Sequence, residues 1–122
     1  MIKILVVDDD QHIAKGIADW LEIHGFEPIL AHSGNAAIRS ASGFKPSLIL
    51  LDIMLPFMNG IDVCRILKED KNTKDIPIIM LTALNAIGDV EKAFNAGADD
   101  YITKPLQLDR LEAKIKKHLN LE

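Results

Sequence analysis

Apolar residues in this chain follow two alternating patterns: short unbroken runs, and longer segments where they recur every third or fourth position. The runs predict strands at Ile2–Val7, Glu27–Ala31, Ser47–Leu51, Ile76–Leu81 and Tyr101–Thr103. Three of them contain ILVV, LILL and IIML, the continuous apolar stretches that central strands buried on both faces require. The helical periodicity predicts helices over Gln11–His24, Asn35–Ser42, Ile61–Glu69, Ile87–Ala96 and Leu108–Leu119. In the first, Ile13, Ile17, Trp20, Leu21 and His24 share a stripe, with Asp10 as N-cap and Gly25 as the stop. The second is rich in small residues and capped by Ser33 or Gly34, and the third follows Asn59-Gly60. The fourth ends at Gly97, and the last follows Lys104-Pro105 with Leu108, Leu111, Ile115 and Leu119 on one side. This strand–helix rhythm predicts an α/β fold, a doubly wound parallel sheet covered by helices on both faces.

Composition narrows the function classes. The 122 residues leave room for one compact domain, read as residues 1–122 with no output domain. With 48% apolar and 26% charged residues, disorder and collagen-like repeats are excluded. The net charge of −4 argues against a general electrostatic grip on nucleic acid, so no direct nucleic-acid binding is expected. Cys64 is the single cysteine, and it reads as a small buried hydrophobe rather than part of a disulfide or metal cluster. The strongly apolar segment Ser47–Met58 is interrupted by Asp52 and Pro56, so no membrane span is expected. The start MIKILVVDDD places acids where a signal peptide needs small residues, which predicts a cytoplasmic protein. Lys68–Asp75 reads as a solvated charged loop. Lys114, Lys116, Lys117 and His118 read as cations complementing the dipole of the last helix.

In an open parallel sheet the functional crevice lies beyond the carboxyl ends of the strands. The first strand runs into Asp8-Asp9-Asp10, the third into Asp52, the fourth into Thr82-Ala83 and the fifth into Lys104-Pro105. If the first, third and fourth strands are neighbours, Asp8, Asp9 and Asp52 meet at one mouth. Carboxylates crowded in this way repel unless a cation sits among them. Oxygen-only donors at an open mouth favour Mg²⁺, whereas zinc would want the scattered His12, His24, His32 and His118 nearby. Such a centre, with a Thr82 hydroxyl and a Lys104 ammonium beside it, suits a phosphoryl group. Asp52 would then be the nucleophile, forming an acyl phosphate. Asp10 is expected to serve only as the helix cap.

The ordered blocks VVDDD, LILLDIMLPFMNG, PIIMLTA and GADDYITKPL resemble the receiver domain of bacterial two-component response regulators, over essentially the whole chain. The resemblance implies a flavodoxin-like (βα)5 fold with strand order 2-1-3-4-5. It implies a phosphorylation-dependent signalling switch rather than a conventional enzyme, catalysing only its own phosphorylation and dephosphorylation. Asp52 would be the phosphoacceptor, served by a sensor histidine kinase or a histidine phosphotransfer protein. Asp9, Asp52 and the backbone carbonyl of Met54 would ligate Mg²⁺, with Asp8 acting through water. Thr82 and Tyr101 would be the switch residues, reshaping the face of the fourth helix, fifth strand and fifth helix. The block Gly97–Leu106 and the last helix look closest to receivers that precede winged-helix DNA-binding domains. There the same face would form a homodimer on phosphorylation, with Asp99, Asp100 and Lys114 as cross-subunit partners. Two departures stand out: Asn59 replaces a common Asp, and the apolar pair Met54 and Leu84 implies a longer-lived phosphate.

Two other readings use the same residues. A haloacid-dehalogenase-like phosphatase would use Asp8-x-Asp10, Thr82, Lys104 and Asp99-Asp100, but it leaves Asp52 unexplained. Asp99-Asp100 also precede a strand where that fold needs acids ending one. A phosphorylation-independent scaffold would be marked by loss of one of Asp8, Asp9, Asp52, Thr82 or Lys104, and all are present.

Overall fold

The computed structural model of the chain describes residues 1–83 and 87–121. Five strands, β1 (Lys3–Val7), β2 (Glu27–Ala31), β3 (Leu48–Asp52), β4 (Ile78–Thr82) and β5 (Asp100–Thr103), alternate with five helices. These are α1 (Gln11–Ile23), α2 (Gly34–Phe44), α3 (Gly60–Glu69), α4 (Ile87–Asn95) and α5 (Leu108–Leu119). All strand pairings are parallel, in the order β2-β1-β3-β4-β5.

Successive side chains of a strand point to opposite faces, so each apolar run feeds two cores. Ile4, Val6, Leu48, Leu50, Ile79 and Leu81 pack with Ile17 and Leu21 of α1 and with Leu111 and Ile115 of α5. Leu5, Val7, Ile49, Leu51, Ile78 and Met80 pack with Ala37 and Ala41 of α2, Val63 and Leu67 of α3, and Ala93 of α4. Each fully buried aliphatic side chain contributes about 2 kcal/mol of transfer free energy, which is why the central strands need no polar face. Cys64 lies inside the second core, where burial, against the opposing charge of Lys68, pushes its thiol up to about 11.

The caps explain where the helices begin. The Asp10 carboxylate accepts the amides of His12 and Ile13, Ser33 Oγ accepts Ala36 N, and Asn59 Oδ1 accepts Asp62 N. Gly25 ends α1 at φ +85°, a backbone region open to glycine. The small residues of α2 let it approach α3 closely: a Cβ on Gly34 would come within 2.9 Å of Val63 Cγ2.

Several sequence expectations need correction. β4 starts at Ile78 rather than Ile76, because Pro77 has no amide to enter the ladder. β3 and β4 each extend one residue further than expected, so Asp52 and Thr82 are the last residues of their strands. The buried stripe of α1 is Ala14, Ile17, Ala18 and Leu21, with Ile13 exposed, and Leu108 of α5 is exposed too. The charged segment after α3 is anchored instead of merely solvated. Lys68 Nζ donates to the carbonyls of Lys74 and Ile76 and to Asp99, and the buried Thr73 hydroxyl donates to Leu67 O at 2.6 Å.

Candidate functional site

The strand order sets neighbouring C-termini side by side. Val7 is in register with Leu51, Asp52 with Leu81, and Thr82 with Thr103. Asp8, Asp9, Asp52, Thr82 and Lys104 therefore emerge at one edge. The edge strand β2 contributes His32, whose Nδ1 lies 3.0 Å from the Asp8 carbonyl oxygen.

One carboxylate oxygen from each of Asp8, Asp9 and Asp52 lies within 4.8 Å of the others. Asp8 and Asp52 are only 1% and 3% exposed, while Asp9 faces solvent. Lys104 Nζ donates to Asp52 Oδ2 at 2.7 Å and lies 3.6 Å from Asp8 Oδ2. Asp52 Oδ1 accepts the Met54 amide at 3.1 Å, and Asp8 Oδ1 accepts the Asp10 amide at 2.9 Å. Burial, helped by the Asp52 charge, raises the Asp8 carboxyl above its ordinary range against the pull of the Asp10 amide and Lys104. Burial by itself would depress the Lys104 ammonium. Its hydrogen bond to Asp52 and the charges of Asp52 and Asp8 outweigh that and raise it.

Lys104 does not complete the centre. Among the described residues, Asp8 Oδ2 is buried and has no hydrogen-bond donor, the condition a bound cation would relieve. Because every nearby acidic ligand atom is oxygen, the donor set fits Mg²⁺ better than a metal that prefers nitrogen or sulfur.

Thr82 is buried beside this cluster, and among the described residues its hydroxyl has only a marginal contact, to Ala83 O at 3.5 Å. Tyr101 points outward. Its ring meets the edge of Phe94 at 6.0 Å between centroids, and Lys114 Nζ sits 5.3 Å from its centre. Met54 has an exposed side chain, and Leu84 lies outside the described residues.

Other acids are committed elsewhere. Asp10 caps α1, so it does not join the cluster. Asp99 accepts from Lys68 Nζ at 2.9 Å and from Ile78 N at 2.8 Å. Asp100 accepts Lys114 Nζ at 2.7 Å and pairs with His118 Nε2 at 2.9 Å. Lys114 and His118 are thus tied to β5 instead of simply facing the end of α5. Asp99, Asp100 and Lys114, expected as cross-subunit partners, all have partners in their own chain. This placement also removes the acids that a haloacid-dehalogenase-like reading would need at the strand ends. A cleft of about 530 Å³ between α1 and β2, lined by His12, Lys15 and His32, contains none of the three clustered carboxylates.

Gly60 is the site residue whose role the sequence hides. It is buried, its amide donates to Ile53 O at 2.7 Å, and it folds the loop after β3 back onto the Asp52 backbone. Asn-Gly ahead of a helix marks the turn but does not show what the glycine approaches.

Comparison with known proteins agrees with this fold. The DNA-binding response regulator MtrA of Mycobacterium tuberculosis (strain ATCC 25618 / H37Rv) is 43% identical over 117 residues, covering 96% of this chain and 50% of MtrA. The chain therefore spans about half the length of the curated relatives it matches. A putative response regulator from Chloroflexus aurantiacus has TM-score 0.93 at 33% identity, with 98% of both chains covered. The receiver domain of a signal transduction histidine kinase from Syntrophus aciditrophicus has TM-score 0.91 at 35% identity, covering 98% of this chain and 91% of that one. The family described as the response regulator receiver domain matches residues 4–116, and the chain belongs to that family, the receivers of two-component systems.

Proposed function

We propose that this receiver is a phosphorylation-dependent switch in which Asp52 accepts a phosphoryl group from a phosphohistidine. The donor is a sensor histidine kinase or a histidine phosphotransfer protein. The observation that carries the proposal is the buried Asp52 carboxylate held 2.7 Å from Lys104 Nζ, beside an Asp8 oxygen that accepts no hydrogen bond among the described residues.

A carboxylate oxygen of Asp52 attacks phosphorus, a P–O bond forms, and the P–N bond breaks with its electron pair left on the imidazole nitrogen. The product is an acyl phosphate on Asp52 and a free histidine on the donor. Asp8, Asp9, Asp52 and the backbone carbonyl of Met54 would hold Mg²⁺, which when bound offsets charge on the transferring group. Lys104 pairs with a phosphoryl oxygen once the negative charge moves outward from Asp52. Thr82, whose hydroxyl has only the marginal contact to Ala83 O among the described residues, turns that hydroxyl toward the phosphate. Tyr101 then moves inward, and the α4–β5–α5 face changes shape. The equilibrium moves only as far as contacts made solely in the phosphorylated state allow.

The changed face would support a homodimer or another protein contact, while this domain itself binds neither nucleic acid nor membrane. Among the described residues, no helix is long and apolar enough to cross a membrane. The proposal places the protein in the cytoplasm, where ATP-charged kinases act.

The test is intact mass after incubation with Mg²⁺ and acetyl phosphate, alongside Asp52→Ala. A hydroxylamine-labile phosphate adduct, absent with EDTA and absent in the variant, is the expected result. An adduct that persists in Asp52→Ala would overturn the choice of acceptor.

A further inference from the structure

Phe57 lies in the loop between β3 and α3 and combines two unfavourable features. Its φ is +68°, a left-handed region that costs a residue with a side chain free energy, and its side chain is fully exposed at 107%. The Met58 amide donates back to Pro56 O at 2.7 Å, closing the strained form of a γ-turn around Phe57. Among the described residues no buried contact of the ring offsets the cost, since an aromatic this exposed packs against none of them. Glycine would occupy this backbone conformation at lower cost.

The loop is fixed at both ends to the acceptor. Met54 N holds Asp52 Oδ1, and Gly60 packs on the Asp52 carbonyl. Phe57 is three residues from each, so chain length keeps it within roughly 11 Å of both. Met54, 70% exposed, extends the apolar rim, and the exposed Asp9 and Asp10 make it acidic at the end of β1.

We infer that Phe57, with the Met54 side chain, is an apolar anchor for the phosphohistidine-bearing protein, and that it selects the donor protein without taking part in the chemistry. The inference rests on Asp52 being the acceptor. The occupant follows from the burial of that acceptor. Asp52 is almost sealed, so a histidine carried on a protein reaches it only if the surface around that histidine settles on the rim. The partner surface should therefore be apolar where it meets Phe57 and carry cationic groups toward Asp9 and Asp10. A small donor such as acetyl phosphate enters without touching the rim.

Phe57→Gly separates these roles because it removes the ring and relieves the backbone. Two phosphorylation rates are compared for the unmutated chain and the variant. One uses acetyl phosphate. The other uses the phosphorylated histidine domain of a kinase, chosen from a panel because it transfers to the unmutated chain. The expected result is an unchanged acetyl phosphate rate, a thermal midpoint that does not fall, and at least a tenfold slower transfer from the kinase domain, about the loss of an aromatic hot spot. Transfer from the kinase domain at the unmutated rate would overturn the inference. Equal slowing with both donors would also overturn it, because it would mean a structural role. If Phe57→Gly transferred normally but lost phosphorylation-dependent self-association in sedimentation, the anchor would belong to a second copy of the chain. Failure of acetyl phosphate to label the unmutated chain would count against the acceptor reading itself, a separate outcome.

Discussion

A Cβ placed on Gly60 would lie 2.0 Å from the carbonyl oxygen of Asp52, closer than any real contact allows. Backbone stands against backbone there, so no flexible side chain can move aside. Gly60→Ala must push α3 or the end of β3 outward. The expected outcome is a loss of about 3 kcal/mol in urea unfolding, at the upper end for overpacking. Asp52 would be displaced from Lys104, so labelling by acetyl phosphate should fall even at temperatures where the variant remains folded. A variant of normal stability and labelling would show that the loop is not held against β3.

The charge crowding at Asp8 has a measurable cost. Its carboxyl is raised by burial first and then by Asp52, so the folded chain disfavours ionised Asp8 relative to the unfolded chain. The penalty is absent below the ordinary value of 3.8, grows as pH rises to the raised value, and stays constant above it. Asp8→Asn keeps an acceptor for the Asp10 amide and removes the charge. In EDTA at neutral pH it should unfold about 1 kcal/mol later than the unmutated chain, and the gap should close in acid. Adding Mg²⁺ should stabilise the unmutated chain and not the variant, by ligand linkage. Urea midpoints with and without Mg²⁺ check both statements.

How much of this could be read in the sequence depends on the kind of signal. The cores of β1, β3 and β4 were legible because ILVV, LILL and IIML leave no polar face to misassign. Helix faces were less so. Ile13 and Leu108 are apolar and correctly spaced, yet small Ala14 and Ala18 are what fit against the sheet. Asp8, Asp9, Asp52, Thr82 and Lys104 were legible from their positions at strand ends, and the parallel register then brings them together. The partners of Lys68 and Asp100 were not. A charged residue reads as solvated when its partner is 31 positions away, as Asp99 is from Lys68, or 14 away, as Lys114 is from Asp100. Gly60 and Phe57 depend on the path of one loop, and no periodicity encodes that path.

Thr82 separates accepting the phosphate from responding to it. Its hydroxyl has no bond to Asp52 or Lys104 among the described contacts, only the 3.5 Å contact to Ala83 O. Thr82→Ala should therefore cost less than about 1 kcal/mol and leave the extent of labelling intact. What it should lose is the response at Tyr101, followed by the ring resonances of Tyr101 before and after phosphorylation. Equal shifts in the variant and the unmutated chain would remove Thr82 from the switch.

Asp100 sets the acid limit of the β5–α5 contact. Burial alone would raise its carboxyl, but hydrogen bonds from Lys114 and His118, and then from the Tyr101 amide, outweigh burial and hold it below 3.8. A lowered value means the folded state binds fewer protons than the unfolded state through that window, so stability rises with pH across it. The contribution is complete above the ordinary carboxylate range and is lost as pH falls through the lowered value. Asp100→Asn should therefore unfold earlier than the unmutated chain at pH 6, with the difference shrinking toward pH 2. The same substitution releases Lys114 from the position that holds its ammonium 5.3 Å from the Tyr101 ring. Hydrogen exchange along β5 and α5 should accelerate in the variant at pH 6, because the two elements then share packing but no charged bond. If the pH 6 difference were absent, or persisted unchanged into acid, Asp100 would not be the ionised centre of this cluster.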